Sequence, residues 1–210
     1  MISFADQTVQ VGTKIETKGA TPKLFTQVHG NNILEIENQE NRLTAIMAPQ
    51  SADGAYTYAQ DLELYVFTAD CLPISFWSEE PNGPIGIVHC GWRGAKAGIV
   101  VQLLTTLPQW TLHFSFGPAG LVCCYEVKRD LIESFEKAGY SLSAYLDIRK
   151  HGIFFDLTGF VRGTQLKSIP ENRIHRNEQV CTICSPRLPS YRRNRSTDPS
   201  LRSWIVRRAL

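Results

Sequence analysis

Five histidines and six cysteines supply this 210-residue chain's soft and borderline metal ligands and its thiol nucleophiles. Three short segments set such a residue beside turn chemistry: Gln27-Val28-His29-Gly30, Thr68-Ala69-Asp70-Cys71-Leu72-Pro73, and Val88-His89-Cys90-Gly91-Trp92-Arg93-Gly94. Strand-end loops of this kind carry site residues on a rigid scaffold. Two imidazoles and one thiolate, His29, His89 and Cys71, would make a three-ligand zinc site with its fourth position open, the arrangement of catalytic rather than structural zinc. These residues stand 42 and 18 positions apart, so no local zinc-finger spacing joins them. A lone Cys is as readily a small core hydrophobe, and a lone His a packing residue. A metal-free alternative uses the same groups, with Cys71 as nucleophile and His89 as base.

Several neighbours qualify as supporting residues. Asp70 lies inside an apolar run, where an unpaired carboxylate is costly; it could orient a ligand, accept a proton as a catalytic residue, or cap a turn. Arg93 opens a helix, where a guanidinium beside free N–H groups suits phosphate or carboxylate; a salt bridge to a surface acid is the competing role. It is therefore both a catalytic and a substrate-binding candidate. Arg192 and Arg193 are substrate-binding candidates, one of which is expected to reach the pocket. Gln27, Gly30 and Asp53 are expected to shape turns or support ligands. Cys181-Thr182-Ile183-Cys184 is half a zinc site or a redox pair, but no second C-x-x-C accompanies it. Cys123 and Cys124 should point to opposite sides of an extended chain and pack. His113 should occupy a strand face, and His151 and His175 have no assigned task.

The elements that must position these groups follow from periodicity. β-rich runs bounded by Gly, Pro, Asn or Asp fall at 24–29, 33–36, 64–68, 84–90, 111–116, 152–156 and 204–208. Helices are expected at about 94–107, stopped by Pro108; at about 128–138, stopped by Gly139; and at about 159–168, with Thr158 as N-cap. Strands outnumber helices without regular alternation. That pattern favours an α+β fold, a single layered domain over residues 1–210 with mixed sheets and flanking helices. With 43% hydrophobic and 20% charged residues the chain is globular rather than disordered.

Residues 1–182 hold 15 Lys/Arg against 19 Asp/Glu, whereas 183–210 hold seven Arg against Asp198 alone. A basic end can attract phosphate, although most of these arginines are expected on a solvated surface. No nucleic-acid partner is expected. No apolar run is long enough for a membrane helix, and no secretory leader is visible, so the expectation is a cytoplasmic chain whose cysteines are thiols or metal ligands.

The three segments resemble the Q-V-H-G, A-D-C-L-P and H-A-G-W-R-G motifs of the family variously called laccase-domain proteins, multicopper polyphenol oxidases, peptidoglycan editing factors and zinc purine nucleoside phosphorylases. Ala52-Asp53, Gly117-Pro118-Ala119, Cys123-Cys124-Tyr125-Glu126-Val127, Asp156-Leu157, Cys181-Thr182 and Ser190-Tyr191-Arg192-Arg193 extend the match in order from about residue 24 to the C-terminus. The resemblance implies zinc on His29, Cys71 and His89; copper is a possible substitute because it outcompetes zinc for N/S ligands. The resemblance also implies phosphorolysis of adenosine, inosine or methylthioadenosine, or adenosine deamination, with nucleoside and phosphate as partners. Three departures stand out. The family's Thr-Arg-x-Gly-Gly-type stretch and Glu-Asn-Arg helix do not precede Gln27, Cys90 replaces an alanine, and a second Gly-Pro is missing before Cys123. Copper polyphenol oxidation needs about ten imidazoles for a full laccase set, against five here. Cytidine-deaminase chemistry would need H-x-E where His89-Cys90-Gly91 stands. Peptidoglycan-precursor editing or hydrolysis would use the same pocket.

Overall fold

Strands dominate because β-branched and aromatic residues recur in short runs broken by Gly and Pro. The computed structural model describes residues 2–3, 8–175 and 179–209. In chain order the first half contains β1 (Ile2–Ser3), β2 (Val9–Glu16), β3 (Ile33–Glu35), α1 (Gln39–Met47), β4 (Gly54–Thr57), β5 (Leu64–Thr68), β6 (Leu72–Ser78) and β7 (Ile85–Cys90). Then follow α2 (Trp92–Lys96), α3 (Ile99–Thr106), β8 (Leu112–Phe116), β9 (Glu126–Val127), α4 (Arg129–Glu136), β10 (Leu146–Arg149) and β11 (Gly152–Phe155). The chain closes with α5 (Leu157–Phe160), β12 (Ile174–His175), α6 (Tyr191–Asn194) and β13 (Ser200–Arg207).

A six-stranded mixed sheet, ordered β12-β8-β6-β7-β4-β3, is the centre of the molecule. A four-stranded sheet, β1-β2-β13-β5, packs on one face of it through Val11, Leu64, Val66, Ile85, Ile87 and Ile205. Helices cover the other face, where Ile74, Phe76 and Val88 meet Leu103, Phe135 and Phe160. Side chains alternate between the two faces along β7, so Ile85, Ile87 and His89 share one side and Val88 and Cys90 the other. The result is the expected α+β architecture of layered sheets with flanking helices.

Local deviations have identifiable causes. The helix expected at 94–107 starts at Trp92 and breaks at Gly98, whose φ of 75° is left-handed and opens α3 on a new axis. Gly139, at φ 85°, ends α4 as expected, with Tyr140 N–H returning to Phe135 O at 3.0 Å. The cap of α5 is Asp156 rather than Thr158: its carboxylate accepts from Gly159 N–H at 2.8 Å, and the helix widens into a π-turn over Val161–Gln165. Residues 24–29 form no strand. Only an isolated bridge joins Thr26 to Ser51, because the Gln27 side chain takes the pairing instead, donating to Phe67 O at 2.7 Å and accepting from Phe67 N–H at 2.9 Å. Helix α1 does carry Glu40-Asn41-Arg42, but after the Q-V-H-G segment rather than before it, and it buries none of its residues.

The basic C-terminal stretch is not a uniform solvated face. Arg202 and Arg207 are buried in β13, the first between Glu16 and Glu63 and the second on the carbonyls of Ser78, Pro81 and Gly83. Among the described residues no helix is long and apolar enough to cross a membrane.

Candidate metal centre and cleft

Strand register closes the 18-residue gap between Cys71 and His89. In the antiparallel β6–β7 pair Leu72 stands opposite Cys90 and Pro73 opposite His89, so Cys71, one residue before β6, lies beside the end of β7. Strand β4 pairs on the other side of β7 and delivers Asp53 to the same place, where Asp53 O accepts His89 N–H at 2.6 Å.

The fully buried Asp53 carboxylate organises the third ligand. It accepts from the backbone N–H groups of Val28 at 3.2 Å, His29 at 2.9 Å and Gly30 at 2.6 Å, and from His89 Nδ1 at 2.8 Å. One carboxylate thus folds the Q-V-H-G turn, with His29 at φ 63°, and orients the His89 ring. The two imidazoles meet edge to face with centroids 4.8 Å apart. Ligand atoms of His29, Cys71 and His89 all lie within 4.8 Å of one another. Gly91 keeps that space open: a Cβ there would stand 2.9 Å from Cys71 Sγ and 3.2 Å from His29 Cδ2.

Burial raises the Cys71 thiol, but hydrogen bonds from His29 and His89 outweigh it and bring Cys71 down to about 6. Burial opposes protonation of His89, but Asp53 and Cys71 outweigh it and raise His89 to about 9. A preformed thiolate beside two imidazoles, the inner one held by a carboxylate, is a donor set suited to zinc. The residues fit the metal that the sequence motifs imply.

Asp70 sits at φ 91°, a strained value for a non-glycine residue. Its carboxylate accepts from Thr182 Oγ1 at 2.6 Å, Ser190 Oγ at 3.0 Å and Arg192 N–H at 2.8 Å. Of the roles open to it from sequence, these contacts are those of a brace tying the Cys71 turn to α6. The Arg93 guanidinium lies 4.3 Å from the centroid of the Trp92 ring and pairs with no carboxylate among the described residues. Arg192 and Arg193 part company. The Arg192 guanidinium stacks 4.2 Å from the Tyr125 ring and reaches Glu126 O, whereas Arg193 is engaged by the carbonyls of Thr182, Ile183, Ser185 and Leu188.

A cleft of about 720 Å³ opens above the cluster, bordered by His29, Cys71, Trp92, Arg93, Tyr125 and Arg192. Lys128 and Arg195 also border it and had no signal in sequence beyond their charge. Two further groupings escaped the sequence reading. His113 and His175, on neighbouring β8 and β12, share a 2.8 Å contact between ring nitrogens. Cys123 and Cys124 lie in a turn, not an extended segment, and gather with Cys181 and Cys184. Cys90 points into the helical side of the core, where burial pushes its thiol up.

Known proteins share this arrangement of chain. Residues 7–207 match the family model described as multi-copper polyphenol oxidoreductase laccase. A protein of Aquifex aeolicus named purine nucleoside phosphorylase is 31% identical over 188 residues, covering 86% of this chain and 80% of that one. A Borreliella burgdorferi protein of the same name is 29% identical over 193 residues, covering 88% and 79%. Among solved structures, YlmD from Geobacillus stearothermophilus superposes with a TM-score of 0.77 at 23% identity, covering 96% of this chain and 93% of that one. The Bacillus licheniformis hypothetical protein YfiH gives 0.78 at 24% identity, covering 89% and 74%. Sequence and fold agree that the chain belongs to the multi-copper polyphenol oxidoreductase laccase family, whose similar members include proteins named purine nucleoside phosphorylase.

Proposed function

We propose that the chain is a zinc-dependent purine nucleoside enzyme that cleaves adenosine, inosine or methylthioadenosine with phosphate and deaminates adenosine. The observation that carries this reading is the convergence of His29, Cys71 and His89 at a cleft that also presents Trp92 and an Arg93 that pairs with no carboxylate among the described residues. His29, Cys71 and His89 would hold the ion, which when bound supplies Lewis-acid chemistry with a coordination position left for substrate. Copper could replace zinc on the same N/S donors. A full laccase copper set finds no matching donors: of five histidines, two are in the cluster and two form the His113–His175 pair.

The chain's own groups have separable tasks in this reading. Asp53 fixes the His89 ring through Nδ1 and leaves Nε2 for the ligand site. Asp70 is a positioning residue that sets the Cys71 turn. The half-buried Trp92 offers apolar surface for a purine, Tyr125 lies beneath the Arg192 guanidinium, and Arg93 and Arg192 offer guanidinium groups for phosphate. In phosphorolysis, a phosphate oxygen bonds to the ribose anomeric carbon as the glycosidic bond breaks, and its electron pair leaves with the base. Arg93 would hold the attacking phosphate in place.

Incubation of zinc-loaded protein with each nucleoside, with and without phosphate, tests the reading by chromatography of the products. Phosphate-dependent release of free base and phosphorylated sugar is the expected outcome, with inosine formed from adenosine by deamination. Absence of product from every nucleoside would reject it. The depressed Cys71 beside His89 favours one alternative, a metal-free hydrolase with Cys71 as nucleophile. Turnover that survives a chelator would select that alternative.

A further inference from the structure

Cys123, Cys124, Cys181 and Cys184 come from two turns remote in sequence, yet their sulfurs all lie within 4.8 Å of one another. The first turn closes where Cys124 N–H donates to Leu121 O at 2.9 Å and Tyr125 N–H to the same oxygen at 2.8 Å. The second closes where Ser185 N–H donates to Cys181 O at 3.1 Å. A parallel bridge between Ala119 and Cys181 laces the two, with Thr182 N–H on Ala119 O at 2.9 Å. Arg149 clamps the first turn from outside through the carbonyls of Val122 and Cys123. The backbone therefore holds two pairs of thiols facing each other, and the C-x-x-C has its missing half in a vicinal pair.

From this geometry we infer that the four cysteines form a second metal site, a closed tetrathiolate that holds one zinc ion and staples the 121–125 turn to the 181–185 turn. Zinc–sulfur bonds of about 2.3 Å in a tetrahedron place sulfurs about 3.8 Å apart. Cys123 Sγ and Cys184 Sγ are 3.8 Å apart, far beyond the ~2.05 Å of a disulfide. Leu121 N–H points at Cys181 Sγ at 3.5 Å, the kind of backbone donor that supports a metal-bound thiolate. A divalent ion at the centre of the four sulfurs would balance the charge of its thiolate ligands.

The site is structural in kind, since four protein ligands leave no open position. Its place in the fold gives it a consequence for the cleft. Cys124 and Ile183 border the cleft, Tyr125 follows Cys124 directly, and Thr182 inside the C-x-x-C donates to Asp70, the brace of the Cys71 turn. An ion here would fix the cleft wall that carries Tyr125 and Arg192. The inference stands independently of the nucleoside reading, because its readout is metal content.

Protein purified under reducing conditions with zinc present should be compared with the Cys123→Ser/Cys184→Ser double variant by elemental analysis. Both replaced side chains are exposed, so the variant is expected to fold. The wild type should carry one more equivalent of zinc per chain than the variant. Cobalt-loaded His89→Ala should show thiolate-to-metal charge-transfer absorption that disappears when Cys123 and Cys184 are replaced in the same protein. Chelation should lower the melting temperature of His89→Ala but not that of a protein also lacking Cys123 and Cys184. Equal zinc content in wild type and double variant would overturn the site. So would a Cys123–Cys184 disulfide found by mass spectrometry in the freshly isolated protein, or iron with inorganic sulfide in place of zinc. Full nucleoside inactivity with the extra zinc present would refute the proposed function and leave this site standing.

Discussion

Replacing Asp53 by Asn exchanges one carboxylate oxygen for an NH2 group at the point where three segments meet. Asp53 Oδ1 accepts from His29 N–H and His89 Nδ1, and Oδ2 accepts from Val28 N–H and Gly30 N–H. An asparagine of the same shape has one acceptor oxygen, so whichever way its amide turns, two donors face an NH2 group instead. Each buried donor left unpaired costs about 1–3 kcal/mol, which places the total at about 2–6 kcal/mol. The loss falls on the Q-V-H-G turn and the His89 ring together, so metal affinity should fall as well, by about 10–100-fold for a group that orients a ligand. Denaturant unfolding of chelated protein measures the first effect, and zinc competition against a chromophoric chelator measures the second. A variant within about 0.5 kcal/mol of wild type, with zinc affinity within about threefold, would refute the role given to Asp53.

Protons compete with metal for the same atoms, which sets a pH dependence. Metal binding must remove the proton that His89 keeps up to about 9, while Cys71 is already thiolate above about 6. Apparent zinc affinity, measured by competition, should therefore rise about tenfold per pH unit between about 6 and about 9, and more steeply below. A flat profile across that window would contradict the thiolate–imidazolium arrangement. Arg93→Ala should raise the KM for phosphate by about tenfold or more in steady-state assays, whereas Arg193→Ala should lower stability by about 1–3 kcal/mol and leave that KM alone. Asp70→Ala removes the partner of Thr182, Ser190 and Arg192 N–H and puts alanine at φ 91°, so a loss of at least about 2 kcal/mol is expected in thermal unfolding. Asp70→Asn, which tolerates that φ and keeps one acceptor, should lose less.

Much of the local plan was legible along the chain. Gly139 as the stop of α4, the strands at 64–68, 84–90 and 111–116, and the excess of strands over helices all follow from short-range patterning. Strands β2, β4, β6 and β10 were missed, as were the two-residue β1, β9 and β12. Strands β4 and β6 are buried along their whole length, so they lack the polar alternation that marks a half-exposed strand. Helix α1 was missed for the opposite reason, since it buries nothing and carries only a weak apolar stripe.

The sequence by itself determined which residues could do chemistry: the motifs around His29, Cys71 and His89, a basic C-terminal end, and a C-x-x-C without a visible counterpart. Only the tertiary structure decided how they combine. Ladder register, a long-range property, set Cys71 beside His89 and brought Asp53 between His89 and the His29 turn. It also sorted the arginines, sending Arg192 to the cleft, Arg193 onto loop carbonyls, and Arg202 and Arg207 into the interior. The six cysteines divided in the same way, one to the His29–His89 cluster, one to the core and four to a single cluster assembled from two turns. Spacing along a chain specifies what lies within one turn or one strand, whereas a site built from strand ends depends on which strands pair and in what register.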